Sequence, residues 1–375
     1  MSNQSNLNNQ PQKTFSFTNA FFLLGIPAIA IAMTPWAYKS GGLTTAVFIY
    51  AFIHYFVEGL AITAGYHRLF AHRSYKANPL VRFFVLFLGA GAMQNSALMW
   101  AHDHRIHHRH EDTEKDPYNI KKGFWWAHMG WIFFASNSNW AEENAPSDLK
   151  ADKLVMWQHR NYLLIALVSW MGIPLLFGLL FDNILGFFVV GALWRVLWTS
   201  HCTYLINSAA HCFGKATYTL KLTAKDNWFL AFFTFGEGYH NFHHKFQADY
   251  RNGFRWWHYD PTKWLIGTLN FFGMTSQLNR TPEEKILLAQ MRTKQKLLEN
   301  EGINTQSLEA LTLRMESILE DFRKLKQSLE AAKKRGYKRG NEMVTQVMQQ
   351  IEDYKTQREN TYKQWMTQFR SLRPQ

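Results

Sequence analysis

Apolar residues run almost unbroken through 18–37, 43–65, 162–181 and 184–206, whereas beyond about residue 275 apolar and charged positions alternate. Each of the four runs matches the roughly 20 helical residues that cross a bilayer. The first two are separated by a short loop holding Lys39, Gly41 and Gly42, the last two by Asp182 and Asn183 alone. Two helical hairpins follow, with every other segment and both termini on one side. A fifth apolar stretch, 80–101, is expected to lie along the surface or to dip in and return. A single crossing there would strand the histidines before and after it on opposite faces. Two shorter stretches, 124–135 and 227–235, cannot span.

The pattern changes at Thr281-Pro282-Glu283-Glu284, which reads as a capping box with Pro at the first helical position. A helix is expected from there to about Glu301, ending at Gly302. Leu308, Leu311, Met315, Ile318, Phe322, Leu325 and Leu329 then recur at alternating three- and four-residue spacing, a heptad seam. Gly336 and Gly340 break the seam; Val344, Val347, Ile351 and Tyr354 restart it, and Tyr362, Trp365 and Phe369 continue it past Arg358. An antiparallel helical hairpin fits, packed on itself or on a second copy. The expected organisation is a polar tail over 1–17, an all-α integral-membrane domain over 18–280, and a charged, coiled-coil-like helical extension over 281–375.

Composition refines this picture. The net charge of +13 would suit nucleic acid, but the long apolar runs favour attraction to anionic lipid headgroups instead, and no nucleic-acid partner is expected. Aromatics make up 16% of the chain, with 15 Trp, as befits a large membrane–water interface. The two cysteines, Cys202 and Cys212, form neither a disulfide framework nor a Cys-x-x-Cys site. The Asn- and Gln-rich N-terminus lacks the basic-then-apolar pattern of a cleaved signal peptide.

Sixteen histidines are present, and nine fall in four clusters: His67 and His72; His104, His107 and His108; His211; and His240, His243 and His244. Positions i, i+3 and i+4 share a helix face, so each His-x-x-His-His box is expected to aim at a common centre. Asn207 and His211 form an i, i+4 pair. His67 and His72 would lie about 140° apart on a regular helix, so that pair should straddle a helix end. Nine imidazoles exceed the needs of one metal and suit two. Imidazole binds iron, copper, nickel and zinc alike, but a zinc hydrolase needs fewer ligands and an open position, which favours iron and oxygen chemistry. The scattered His54, His128, His159, His201 and His258 read as polar anchors near the interface.

At these residues the chain resembles the membrane fatty acyl desaturases, in particular the acyl-CoA delta-9 (stearoyl-CoA type) branch. The resemblance rests on Gly65-Tyr-His-Arg-Leu-Phe-Ala-His72, Trp100-Ala-His-Asp-His-Arg-Ile-His-His108, Asp116-Pro117, Asn207-Ser-Ala-Ala-His211 and Glu237-Gly-Tyr-His-Asn-Phe-His-His244. It implies four spans under a cytosolic histidine-rich cap, with nine histidines holding two iron ions and Asn207 reaching one of them through water. It implies O2-dependent insertion of a cis double bond into a saturated acyl chain, with electrons from a separate protein of ferredoxin or cytochrome type. Asp103, Asp116 and Glu237 are the candidates to orient the imidazoles. Asn95, Trp100 and Thr203 match headgroup- or tunnel-lining positions, and Ala51 and Tyr55 match the closed end of the acyl tunnel. Two departures stand where the family holds an acyl-CoA headgroup. His102 replaces an arginine, and Ile-Phe-Phe-Ala-Ser after Trp131 lacks a basic pair. The acyl carrier therefore stays open among CoA, phospholipid and carrier protein, with CoA favoured. A membrane hydroxylase of alkanes or lipids, and a non-enzymatic scaffold working through its coiled tail, are the competing readings.

Overall fold

The protein is described by a computed structural model covering residues 14–134, 142–335 and 342–373. The expectations for residues 1–13, Ala135, Ser136, Gly336 and Gly340 lie outside the described residues.

Four helices are long and apolar enough to cross a membrane: Phe17–Lys39, Thr45–Ala71, Tyr162–Leu180 and Ile184–Cys212. The shortest has 19 residues, about 28 Å at 1.5 Å per residue, close to the hydrocarbon thickness. Their outer faces present Phe48, Phe52, Leu163, Leu164, Leu176 and Leu179 uncovered, the reverse of a water-soluble surface. These features make the chain an integral membrane protein. The turns of the two hairpins meet: Asn183 Nδ2 donates to the Gly42 carbonyl at 2.8 Å. A Cβ on Gly186 would come within 2.0 Å of that same oxygen, so this contact requires glycine. Between the helices, Glu58 and Arg195 form a fully buried ion pair, and Arg195 also donates to the carbonyls of Gly191 and Trp170. Paired in this way, the two charges are tolerated at membrane depth.

The stretch 80–101 is broken. Pro79–Ala90 and Ala97–His110 are separate helices, capped by Asn78 and Ser96. Twelve residues give the first about 18 Å, too short to cross. Trp126–Gly130 with Trp131–Phe133, and Trp228–Phe233, are shorter still. A single pair of two-residue strands, Lys76–Ala77 with Thr275–Ser276, is the sheet found among the described residues.

The chain divides into two compact units, one of residues 1–215 and 221–280, the other of 216–220 and 281–375. Among the described residues the second unit holds three helices, Glu283–Asn300, Gln306–Lys334 and Glu342–Leu372. Met291 and Leu298 of the first join Leu308, Met315, Trp365 and Phe369 in one core. Trp365 Nε1, near the end of the third helix, donates to Thr312 Oγ1, near the start of the second, at 3.1 Å. The first helix begins at Glu283, one residue later than expected, and ends before Gly302, whose φ is +79°.

Candidate metal centre

His67 and His72 sit where the second span stops being a regular α-helix. Residues Ala61–Ala71 wind as a π-helix, and the His72 N–H reaches the His67 carbonyl at 3.0 Å. The wider turn brings residues five apart onto one side, and the two rings lie 4.7 Å apart. His104, His107 and His108 end the helix Ala97–His110. His240, His243 and His244 occupy the six-residue helix His240–Lys245. His211 follows a kink at Ser208, where the fourth span leaves regular helical geometry.

The nine imidazoles gather into two groups. His67, His72, His104, His108 and His243 offer nitrogens within 4.8 Å of one another, as do His107, His211, His240 and His244. This corrects the expectation of one centre per box. Each His-x-x-His-His box is divided, its i and i+4 members going to one group and its i+3 member to the other. The i+3 and i+4 side chains diverge by about 100° around the helix, enough to reach neighbouring centres. The groups abut through the stacked rings of His108 and His244, with centroids 4.3 Å apart.

Every close contact within the groups is between Nε2 atoms: 3.1 Å for His67–His243, 2.8 Å for His72–His104, 3.1 Å for His104–His108 and 3.0 Å for His108–His243. The second group repeats this, at 3.1 Å for His211–His240 and 3.0 Å for His240–His244. The Nδ1 atoms of four rings face acceptors instead. His67 lies 3.0 Å from Glu237 Oε2, His107 2.9 Å from Asp116 Oδ1, His244 2.5 Å from Glu111 Oε2, and His211 2.7 Å from Thr223 Oγ1. At His107 and His211 this contact is a hydrogen bond that keeps the proton on Nδ1 and turns the Nε2 lone pair inward. Burial, then the neighbouring imidazoles, hold His104, His108, His240, His243 and His244 well below the usual histidine range, so they are neutral. Converging lone pairs on neutral rings repel unless a cation lies among them. The residues therefore fit a pair of metal ions, held by five and by four imidazoles.

Of the expected orienting carboxylates, Asp116 and Glu237 face imidazoles. Asp103 does not; it lines the adjoining cavity, where burial pushes its carboxyl up to about 7. One residue before His104, it projects to a different side of the helix. The sequence reading missed Glu111, Thr223 and Asp112, which accepts from both the Thr223 hydroxyl and N–H. It also missed Arg68, which donates to Glu237 and Asp260 and fixes the carboxylate beside His67.

A cavity of about 360 Å³ runs beside both groups. Its wall includes His67 and His104 of one, His107 and His240 of the other, and Asn207, Asn95, Trp100 and Thr203. Trp100 Nε1 donates to Gln94 Oε1 at 3.3 Å, and Gln94 Nε2 to Thr203 Oγ1 at 3.0 Å, a polar cross-brace along this wall. Ala51 and Tyr55, expected at its closed end, are not on the wall. Ala51 packs against the Phe187 and Val190 cluster. The Tyr55 hydroxyl donates to the Phe233 carbonyl at 2.6 Å, which holds the ring behind Cys202 and Phe235. Those two residues, with Phe22, Ile26, Ile62 and Val196, contribute to the apolar part of the wall.

A helical membrane fold thus carries two adjacent all-histidine groups, fit to hold a pair of metal ions, beside a largely apolar cavity. The chain belongs to the fatty acid desaturase family, whose model matches residues 41–270. It is 40% identical to a probable acyl-CoA desaturase of Schizosaccharomyces pombe over 76% of this chain and 59% of that protein. It is 38% identical to acyl-CoA desaturase 1 of Saccharomyces cerevisiae over 77% and 56% respectively. It is 34% identical to the sn-1 stearoyl-lipid 9-desaturase of Anabaena variabilis, over 70% of this chain and 93% of that protein. The chain thus spans a little over half the length of the two yeast relatives.

Proposed function

We propose that this protein is an O2-dependent fatty acyl desaturase that inserts a cis double bond, at the delta-9 position, into a saturated acyl chain carried on CoA. The observation that carries this reading is the division of nine imidazoles into two adjacent groups along one largely apolar cavity. His67, His72, His104, His108 and His243 would hold one iron, and His107, His211, His240 and His244 the other, with Asn207 alongside. Bound iron supplies reductive activation of oxygen, which removes two vicinal hydrogens and consumes two electrons and two protons. The electrons come from a separate ferredoxin- or cytochrome-type protein, and the histidine site and both termini face the cytoplasm.

The chain's own residues supply position and dryness. The cavity volume of about 360 Å³ suits a single slender ligand. Trp100 stacks on His104 with centroids 4.9 Å apart, and Gln94 and Thr203 pin its indole. This brace fixes where an extended chain passes the imidazoles, and regiochemistry follows from proximity and orientation. Phe22, Ile26, Ile62 and Val196 exclude water from the methylenes beyond. Residues 281–375 form their own helical unit and contribute none of the nine imidazoles.

Expression in a desaturase-deficient host, with double-bond mapping of its lipids and iron analysis of purified protein, tests the proposal. Monounsaturated products with about two irons per chain are expected. Alcohols would favour the hydroxylase reading, and a chain that takes up no iron would reject both enzymes.

A further inference from the structure

A second imidazole pair lies outside the metal centre. His128 Nε2 and His201 Nδ1 are 3.1 Å apart, with rings stacked at 5.3 Å and 25°. His128 is buried on the surface segment Trp126–Gly130; His201 is exposed on the fourth span and lines the cavity. Single histidines near an interface are usually polar anchors, but this pair has a defined polarity. The Ser208 hydroxyl donates its one proton to the Tyr204 carbonyl at 2.9 Å. Its oxygen, 3.0 Å from His128 Nδ1, must therefore accept from that nitrogen. The Tyr204 carbonyl also favours a proton on His128. Burial, then His201, push His128 down to about 4, so the ring is neutral and its Nε2 carries a lone pair. His201 Nδ1–H must then donate to it. His201 is left with an Nε2 acceptor that has no partner among the described residues, on a side chain lining the cavity.

The cavity wall contains no Lys or Arg among the described residues. A neutral acceptor at such a wall reads a neutral donor. Beyond the carbonyl of an acyl thioester, the pantetheine arm carries an amide N–H two methylenes from sulfur. A glycerolipid ester carries no donor at the corresponding place.

We propose that His201 Nε2 accepts a hydrogen bond from the first amide N–H of a phosphopantetheine thioester, and so selects thioester-linked chains over glycerolipid esters. His128 is the positioning residue that sets the His201 tautomer. The inference rests on the desaturase reading and narrows its substrate to a carrier bearing that arm, either CoA or an acyl carrier protein.

The test uses purified full-length enzyme with its reductant, and three probes. These are stearoyl-CoA, stearoyl-carrier protein, and a stearoyl-CoA analogue in which an ester oxygen replaces the first amide N–H. Kd and KM are both measured, so that binding is read independently of chemistry. With the wild type, the analogue should bind about fivefold more weakly than stearoyl-CoA at unchanged kcat, the worth of one neutral hydrogen bond. His201→Phe should weaken stearoyl-CoA by a similar factor and erase the discrimination between the two. His128→Phe should shrink the discrimination, and His128→Gln, which keeps an acceptor, should restore part of it. A purely structural role would weaken both ligands equally and leave their ratio intact. The carrier-protein arm identifies which source of the arm is used, and preference for either supports the proposal. Equal binding of amide and ester by wild type would overturn it, as would undiminished discrimination in His201→Phe or turnover of glycerolipid esters alone. Failure of the desaturase reading would show differently, as products other than alkenes with the ligand discrimination intact.

Discussion

The five-imidazole and four-imidazole groups draw on the same two His-x-x-His-His boxes but are held by different surroundings. The five-membered group is anchored at His67 by Glu237, a carboxylate already neutralised by Arg68, which also binds Asp260. Asn252 Nδ2 donates at 2.5 Å to Glu237 Oε2, the same oxygen that faces His67. The four-membered group is anchored largely from one loop: Glu111 faces His244, Asp112 holds Thr223 against His211, and Asp116 faces His107. No Lys or Arg pairs with these three carboxylates among the described residues. Burial, then Asp112 and Asp116, push the Glu111 carboxyl up to about 9. A cation in this group relieves that repulsion directly. The four-membered group also has one imidazole fewer, so it is the group with room for a further ligand.

The largest effects come from removing an imidazole from either group. His243→Ala and His107→Ala should each lower desaturation by well over a hundredfold, beyond what loss of an orienting partner costs. Iron per chain should fall toward one in each, because each variant weakens a different group. Iron analysis beside product assay checks this, and two irons retained by an inactive His107→Ala protein would break the division drawn above.

Next come the carboxylates. Asp116→Asn should cost roughly 10–100-fold in metal affinity or activity, with little change in thermal stability. Glu237→Gln should cost a similar factor and also lower the melting temperature, because it strips one of the two carboxylates from buried Arg68. Chelator competition and thermal melts on the two variants would separate the effects. Equal stability losses would show that the Arg68 network does not set the five-membered group apart.

The four spans were legible because runs of about 20 apolar residues have few alternatives. The nine histidines were legible from their spacing, yet the partition of each box was not. Spacing places residues on a helix face but says nothing of two centres lying side by side beneath it. The π-turn at Ala61–Ala71 escaped for a similar reason, since His67 and His72 five apart look out of phase on any regular helix. The orienting partners were only half visible. Asp116 and Glu237 stood within recognisable motifs, whereas Glu111 and Asp112 resemble ordinary loop carboxylates. Tyr55 was misplaced because position on a helix cannot tell a wall residue from one a layer behind; its hydrogen bond to Phe233 decides that.

The smallest predicted effect concerns Thr223, for which the sequence offered no signal at all. Its hydroxyl donates to Asp112 Oδ1 at 2.7 Å, so its oxygen accepts from His211 Nδ1, also at 2.7 Å. Asp112 and Thr223 are 111 residues apart in the chain, and their contact joins the loop after the second box to the segment after the fourth span. Here a neutral hydroxyl stands between carboxylate and imidazole, where His107 has direct contact with Asp116. The charge reaches His211 at second hand, and the ring gains less basicity from it. Thr223→Val preserves shape and the backbone N–H bond to Asp112 but removes the acceptor for His211 Nδ1. The imidazole loses one neutral hydrogen bond, so iron affinity of the four-membered group should fall only about three- to tenfold. The five-membered group should be unaffected. Stepwise iron titration of apo-protein measures both affinities on one sample. A loss as large as that of Asp116→Asn would mean that the relay carries the full influence of the Asp112 charge.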